Sequence, residues 1–279
     1  MANTRKSRAD RTPSPDEVFS QHPVLTLDAW SRALGGRRSA ARVRDMARYY
    51  TRTERLRRLT RSLFVVVPPG HDARTFTPDP YLVAMALRPD AILSHHAAFD
   101  LLGVSRSLSR RFTYFTAQVR RPLRVAGQEY YALKHPTALA RAKQPQFGTM
   151  TMDRQGIMVR VTGPERTLVD GFAGVRWAGG LDEHVESAAA LRDLDADVLE
   201  RYLNLLGRAT LYGAVGWFLE RHPETVPVTD TLLNRLAPHA PRQPAYLGGR
   251  SRGARLARRW NVLVPPHLDA GHAFEGAPA

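Results

Sequence analysis

Three groups of side chains have the types and spacing for catalytic or metal chemistry. His95 and His96 are adjacent imidazoles, with Asp100 four residues beyond His96. Adjacent residues on a helix point about 100° apart, so the two rings do not converge on one ion, and a core or capping role is favoured. Glu165, Arg166 and Asp170 could form an acid–base group. The structural account is preferred: Glu165 is well explained by the first turn of a helix, where its charge suits the N-terminal pole, and Arg166 with Asp170 by an i, i+4 pair contributing a few tenths of a kcal/mol. Asp193-Leu194-Asp195-Ala196-Asp197 alternates like a cation loop. It lacks the glycine and the downstream bidentate Glu of a calcium loop, and it reads as a helix start. No phosphate loop, no G-x-S-x-G and no H-E-x-x-H occurs. No catalytic residue, metal ligand or cofactor is therefore expected.

The chemistry that stands out is ionic. Between Gly35 and Val67 arginine occupies positions 37, 38, 42, 44, 48, 52, 55, 57, 58 and 61, against only Asp45 and Glu54, a local net of +8. A merely solvated helix face mixes both signs, whereas this one is nearly all arginine, whose planar fork suits phosphate and guanine edges. The expected DNA-binding set is Arg37, Arg38, Ser39, Arg42, Arg44, Asp45, Arg48, Tyr49, Arg52, Arg57, Arg58 and Arg61. Within it Arg38, Arg42, Asp45, Arg48 and Tyr49 are candidates for base edges, with Ser39 and Arg52 on phosphate. A second basic run, Arg250, Arg252, Arg255, Arg258 and Arg259, follows Gly248-Gly249 and is expected to be a mobile loop that is either a secondary DNA contact or a solvated surface.

The elements that must position these arginines follow from local signals. Ser14-Pro15-Asp16-Glu17 is a capping box, placing a helix over about Pro15 to Gln21. Thr26 caps a second helix, and Gly35-Gly36 turns the chain into a third, capped by Ser39. There Val43, Met46, Ala47 and Tyr50 fall at i, i+3, i+4 and i+7, one apolar stripe that must face a core. Leu56 to Thr60 and Leu63 to Val67 read as a hairpin around Arg61-Ser62, ended by Pro68-Pro69-Gly70. Helix, helix, turn, helix and hairpin predict a winged helix-turn-helix whose third helix enters the major groove.

Beyond it the pattern is α+β, with strands first and helices later. Asp79-Pro80 opens a helix through Leu87, and Ser94 is expected to cap another from His95 to Leu102. Strands are expected over Arg110 to Gln118, Leu123 to Val125, Glu129 to His135, Thr149 to Met152 and Ile157 to Val161. From Pro164 helices are expected over Glu165 to Ala173, Leu181 to Leu191, Ala196 to Leu206, Leu211 to Arg221 and about Asp230 to Leu236. The expected domains are a disordered basic arm at 1–13, the winged helix at 14–70, a linker at 71–78 and an α+β domain at 79–279 that ends in the basic segment.

Composition agrees with this division. The 279 residues carry a formal charge of +15, of which residues 1–70 hold +9, residues 71–230 hold +1 and residues 231–279 hold +5. The polyanion-seeking part is at the ends, around an electrically ordinary middle. The chain has no cysteine, which removes disulfides, thiolate metal sites and cysteine nucleophiles. No apolar run reaches the ~18 to 20 residues of a membrane span, and residues 1–12 lack the apolar core of a signal peptide. A cytoplasmic protein, on the nucleoid when bound to DNA and with no membrane partner, is expected.

Leu93-Ser94-His95-His96-Ala97-Ala98-Phe99-Asp100-Leu101-Leu102-Gly103, then Val161-Thr162-Gly163-Pro164-Glu165-Arg166-Thr167-Leu168-Val169-Asp170, behind a basic winged helix, resembles the AbiEi antitoxin family of type IV toxin–antitoxin systems. Arg259-Trp260-Asn261-Val262-Leu263-Val264 resembles that family's closing strand, so the likeness covers nearly the whole chain. One departure is Ser62-Leu63-Phe64, where the family often has glycine before the second wing strand. The resemblance implies a sequence-specific repressor acting on repeat sites in its own promoter, in double-stranded DNA. It also implies that the repressor neutralises a nucleotidyltransferase-like toxin, by a task assigned to residues 78–270. The rival class is a DNA-binding nuclease or other nucleic-acid enzyme with a winged-helix targeting domain, but Glu129-Tyr130-Tyr131 lacks the lysine a nuclease core would place there.

Overall fold

The computed structural model describes residues 13–36, 40–225 and 230–269; the basic arm up to residue 12 lies outside them. The fold is mixed α+β. The chain divides into two compact units: residues up to Ala91 with segments 123–128 and 153–159, and Ile92–Pro122 with Glu129–Met152 and the chain from Arg160.

The first unit opens with α1, Pro15–Gln21, whose capping box forms in both directions: Glu17 N donates to Ser14 Oγ at 3.2 Å and Ser14 N to the Glu17 carboxylate at 2.6 Å. A three-residue strand that local signals do not announce, β1 (Val24–Thr26), leads directly into α2 (Leu27–Ala33), where Thr26 Oγ1 accepts from Ala29 N at 3.1 Å. Then come α3 (Ala40–Arg52), β2 (Leu56–Arg58) and β3 (Leu63–Val66). The sheet order is β1–β3–β2, antiparallel throughout, so the hairpin gains a third strand from before α2. Val43 and Ala47 of α3 are buried with Val18, Phe19, Trp30, Leu34 and Phe64. Around them Phe19 meets Tyr50 edge-on at 5.0 Å and Trp30 at 5.3 Å, geometries that add to area burial.

Residues up to Ala91 group with this unit, including α4 (Pro80–Leu87), which packs on β1. The segment expected to be a linker, 71–78, is thus followed by more of the same unit. Asp79 caps α4 through Tyr81 N and Leu82 N and also holds Arg154 at 2.6 Å.

In chain order the remaining elements are β4 (Ile92–Ser94), α5 (His96–Leu101), β5 (Arg111–Phe115), β6 (Leu123–Val125), β7 (Gln128–Leu133), α6 (Thr137–Arg141), β8 (Thr149–Arg154) and β9 (Ile157–Thr162). Helices α7 (Pro164–Ala173), α8 (Leu181–Ala189), α9 (Ala196–Leu206), α10 (Ala209–Arg221) and α11 (Asp230–Leu236) follow, then β10 (Ala245–Tyr246), β11 (Arg255–Ala257), β12 (Val262–Val264) and α12 (Pro266–Asp269). The large sheet has the order β6–β7–β5–β4–β9–β8, with β4 antiparallel to β5 and parallel to β9, and β5 parallel to β7.

Two expectations are corrected in the second unit. Ser94 does not cap α5; it ends β4, and its Oγ contacts His95 Nδ1 at 3.0 Å. His95 is the N-cap, at φ 56, because a single residue carries the chain from strand to helix, a strained conformation costing on the order of 1–3 kcal/mol. The basic run before Trp260 is not a free loop, since Arg255–Ala257 is strand β11, antiparallel to β12.

The core of this unit is helical, with α7 and α10 at its centre and Trp260 packed against Gly216 so closely that a Cβ there would lie 2.0 Å from the indole ring. His184 is wholly buried, 4.3 Å from the Phe172 ring and 5.6 Å from Phe99. Burial pushes its pKa down to about 3, and His95 is pushed down to about 4 by the same cause against the pull of Asp170. Both rings are neutral in the fold, yet in the unfolded chain each takes a proton below its ordinary 6.5. The unfolded state therefore binds more protons as pH falls from 6.5 toward these values, and stability declines across that window. In urea titrations the midpoint should drop as pH is lowered from about 6.5 toward 4, and His184→Leu should make the drop shallower; an equally steep drop in the variant would show that His184 is not its source.

Candidate nucleic-acid interface

Helix α3 shows its apolar stripe to the core, which leaves Arg42, Arg44, Asp45, Arg48, Tyr49 and Arg52 exposed. The β2–β3 hairpin folds back beside one edge of this surface. Between them lies a groove of about 640 Å3 lined by Arg44, Arg48 and Arg52 of α3, Arg58 and Arg61 of the hairpin, and Thr51 and Ser62. The three helical arginines are at i, i+4 and i+8, one line along the helix. Of the expected base-edge candidates among the described residues, only Arg48 lines the groove; Arg42, Asp45 and Tyr49 sit outside its lining. Arg37, Arg38 and Ser39 lie outside the described residues.

The arginines of this region divide by what their donors already hold. Arg55 pairs with Asp16, and its guanidinium lies 5.5 Å over both the Phe19 and Tyr50 rings, so it clasps α1 to the end of α3. Arg57, expected in the interface, is half-buried, and its guanidinium donates to the Phe76 carbonyl. Arg58 braces the hairpin turn, with Nε donating to the Thr60 carbonyl at 3.0 Å and a terminal nitrogen to that of Arg61 at 3.3 Å, while its outer face still lines the groove. Arg48 is held by Asp45 at 3.1 Å, an exposed pair that orients the fork more than it stabilises the helix. Arg44, Arg52 and Arg61 make no ion pair among the described residues; Arg52 lies 5.8 Å from the Tyr49 ring. Five guanidinium groups around one groove, with no acid among the described residues of its lining, form a cationic concavity for a polyanion backbone.

The second basic run does not share one direction of use. Arg259 pairs with Glu220 at 2.7 Å, donates to Asn234 at 2.9 Å and covers the Trp260 ring at 5.3 Å; Arg255 lies 3.6 Å from Asp269. These two serve the closing sheet, while Arg250, Arg252 and Arg258 are exposed.

The residues weighed for enzymatic chemistry are placed in the fold. His95 and His96 are both buried, His96 Nε2 lying 3.3 Å from Ser107 Oγ and 3.5 Å from Glu183. Burial lowers the pKa of His96, partly opposed by Glu183. Glu165 accepts from Asp195 N at 2.9 Å, and Asp195 caps α9 through Asp197 N and Val198 N. Arg166 and Asp170 do form an i, i+4 pair, at 3.1 Å, but a wholly buried one, so the surface value of tenths of a kcal/mol does not apply to it. Among the described residues no three of His, Asp and Glu gather as metal ligands would, and no helix is long and apolar enough to cross a membrane.

No protein-family model matches the chain, and no curated protein matches its sequence. Among solved structures it is similar to the crystal structure of the RV2827C protein from Mycobacterium tuberculosis, with a TM-score of 0.57, 17% sequence identity and 89% of each chain covered. At that identity the likeness concerns the fold alone.

The division of arginines has a direct test. Arg57→Ala should lower unfolding free energy by about 1–2 kcal/mol through loss of the bond to the Phe76 carbonyl, while Arg61→Ala should leave stability within about 0.5 kcal/mol. Chemical denaturation of both variants checks this; equal stabilities would return Arg57 to the set of free surface charges.

Proposed function

We propose that residues 14–70 act as a winged helix-turn-helix that places α3 in the major groove of duplex DNA and the β2–β3 hairpin along the adjoining phosphates. The observation that carries this is the groove itself, in which Arg44, Arg48 and Arg52 face the same concavity as Arg58 and Arg61. Phosphate contacts from the hairpin and from Arg44 and Arg52 would set the register, and Arg48, held by Asp45, would present its fork to a guanine edge. Arg42 and Tyr49, outside the groove lining, would meet the duplex from elsewhere on the exposed face of α3.

The resemblance in the Leu93–Gly103 and Val161–Asp170 motifs extends this reading to an AbiEi-type antitoxin. Such a protein represses its own operon from repeated promoter sites, and the remainder of the chain neutralises a nucleotidyltransferase-like toxin. The proposed work is binding, without a catalytic residue or cofactor, in a bacterial cytoplasm.

Two outcomes test the two halves. With about five phosphate contacts the log of the affinity should fall against log salt with a slope of roughly −4.5. Arg48→Ala should cost about 1–3 kcal/mol on the cognate promoter and little on random duplex, whereas Arg61→Ala should weaken both and flatten the slope by about one unit. Fluorescence anisotropy across a salt series decides it, and a slope near zero would remove DNA from the account. For the second half, Arg48→Ala/Arg52→Ala should lose repression of a promoter reporter and still rescue cells co-expressing the neighbouring toxin. If abundant, folded variant gives no rescue, repression and neutralisation are not separate tasks of this chain.

A further inference from the structure

The second unit holds a cavity of about 1080 Å3, on the scale of the roughly 300–1,000 Å3 of organic-ligand sites, to which the proposed function assigns no role. Four cationic side chains line it, Lys134, Arg141, Arg176 and Arg208, all exposed, and none makes an ion pair among the described residues. The one carboxylate among the described residues of the lining, Asp170, is 2% exposed and already engaged, accepting from Arg166 Nε at 3.1 Å and from the Tyr202 hydroxyl at 2.5 Å. It therefore does not neutralise the rim.

Helix α10 adds to the same sign. Its first turn reaches the lining through Thr210 and Leu211, it has no side-chain cap and no acidic residue there, and its N-cap is Arg208. A cation at the positive end of a thirteen-residue helix is the reverse of the usual arrangement, and an anion between them would offset both. The remaining walls are largely apolar and aromatic, with His95, His135, Thr137 and Thr210 among them. Phe172 and Trp177 line the cavity, and the Arg176 guanidinium lies 4.5 Å from the Trp177 ring centroid, a cation–π contact within the lining.

We infer that this cavity binds a small organic phosphate carrying a planar ring, a mononucleotide. The cations and the α10 N-terminus take the phosphates, and the aromatic walls take the ring. Phosphate alone would leave the apolar walls wet, and a ring alone would leave the positive rim uncompensated. The site is separate from the arginine groove of α3, and it stands whether or not that groove binds DNA.

Isothermal titration calorimetry of the full chain at about 150 mM ionic strength, where unspecific surface charge is screened, reads it with ATP and GTP as probes. One saturable site per chain is expected, with tripolyphosphate and adenosine each binding at least about tenfold more weakly than ATP. Arg176→Ala/Arg208→Ala should raise the nucleotide Kd by about tenfold or more, while Arg48→Ala/Arg52→Ala in the α3 groove should leave it unchanged. Both pairs are exposed, so unchanged melting temperatures confirm that each variant is folded. Absence of saturable binding by either nucleotide overturns the site. Tripolyphosphate binding as tightly as ATP overturns the ring-binding half, and loss of binding in the groove variant with retention in the cavity variant moves the ligand to the DNA surface.

Discussion

The buried Arg166–Asp170 pair is the interaction on which the second unit depends. Arg166 is fully inaccessible, and it holds Asp170 at 3.1 Å and the carbonyls of Pro145 and Phe147 at 2.9 and 2.8 Å. Its guanidinium lies 5.1 Å from the Phe115 ring and 5.8 Å from that of Tyr202, whose hydroxyl closes the circuit on Asp170. One cation thereby joins β5, the chain entering β8, α7 and α9. Taking such a charge from water is costly, and only this ring of acceptors offsets it; deleting one partner of a buried pair typically costs about 3–5 kcal/mol. The same carboxylate raises the Tyr202 pKa further above the level set by burial, so the tyrosine remains a donor.

Around this network the unit uses close approach. His184 fits only because Gly171 has no side chain, since a Cβ there would lie 2.2 Å from the imidazole. The ring is then enclosed by Phe172 and Phe99 and kept neutral, so an ionisable residue serves as an aromatic wedge. On the far side of α10, Trp260 takes the space that Gly216 leaves, and its indole nitrogen donates to Glu220 at 2.8 Å. The closing strands are in this way locked to the helical core by a residue of the basic run's own neighbourhood.

The first unit solves a different problem, how to keep many like charges on one small surface. Arg55 is a surface strut tied to Asp16, Arg57 is drawn half inward by the Phe76 carbonyl, and Arg58 is half strut and half surface. What lines the groove is a short list of guanidinium groups on its two sides, of which Arg44, Arg52 and Arg61 make no ion pair among the described residues while Arg48 is held by Asp45 and Arg58 by the hairpin turn. Among the described residues Asp45 is the acid that pairs with a groove arginine, which leaves the surface ready for a polyanion.

How much of this was legible in the chain follows the range of each interaction. The capping box at Ser14, the Thr26 cap, the apolar stripe of α3 and the Asp195 cap are set by neighbours within four residues, and the helices they announce form where expected. The alternation of strands before helices likewise predicts the mixed α+β class. Strands β1, β4 and β11 were not legible, because three residues carry too little pattern; β1 and β4 also rest on partners far along the chain, and β11 on its short return into β12. The arginines mark the limit most clearly. By themselves their number and local excess determine that this protein carries a strongly cationic segment. Which of them are free was decided only in three dimensions, where Asp16, the Phe76 carbonyl and Glu220 each claim one, because an ion pair or hydrogen bond depends on distance in space and the sequence records only distance along the chain.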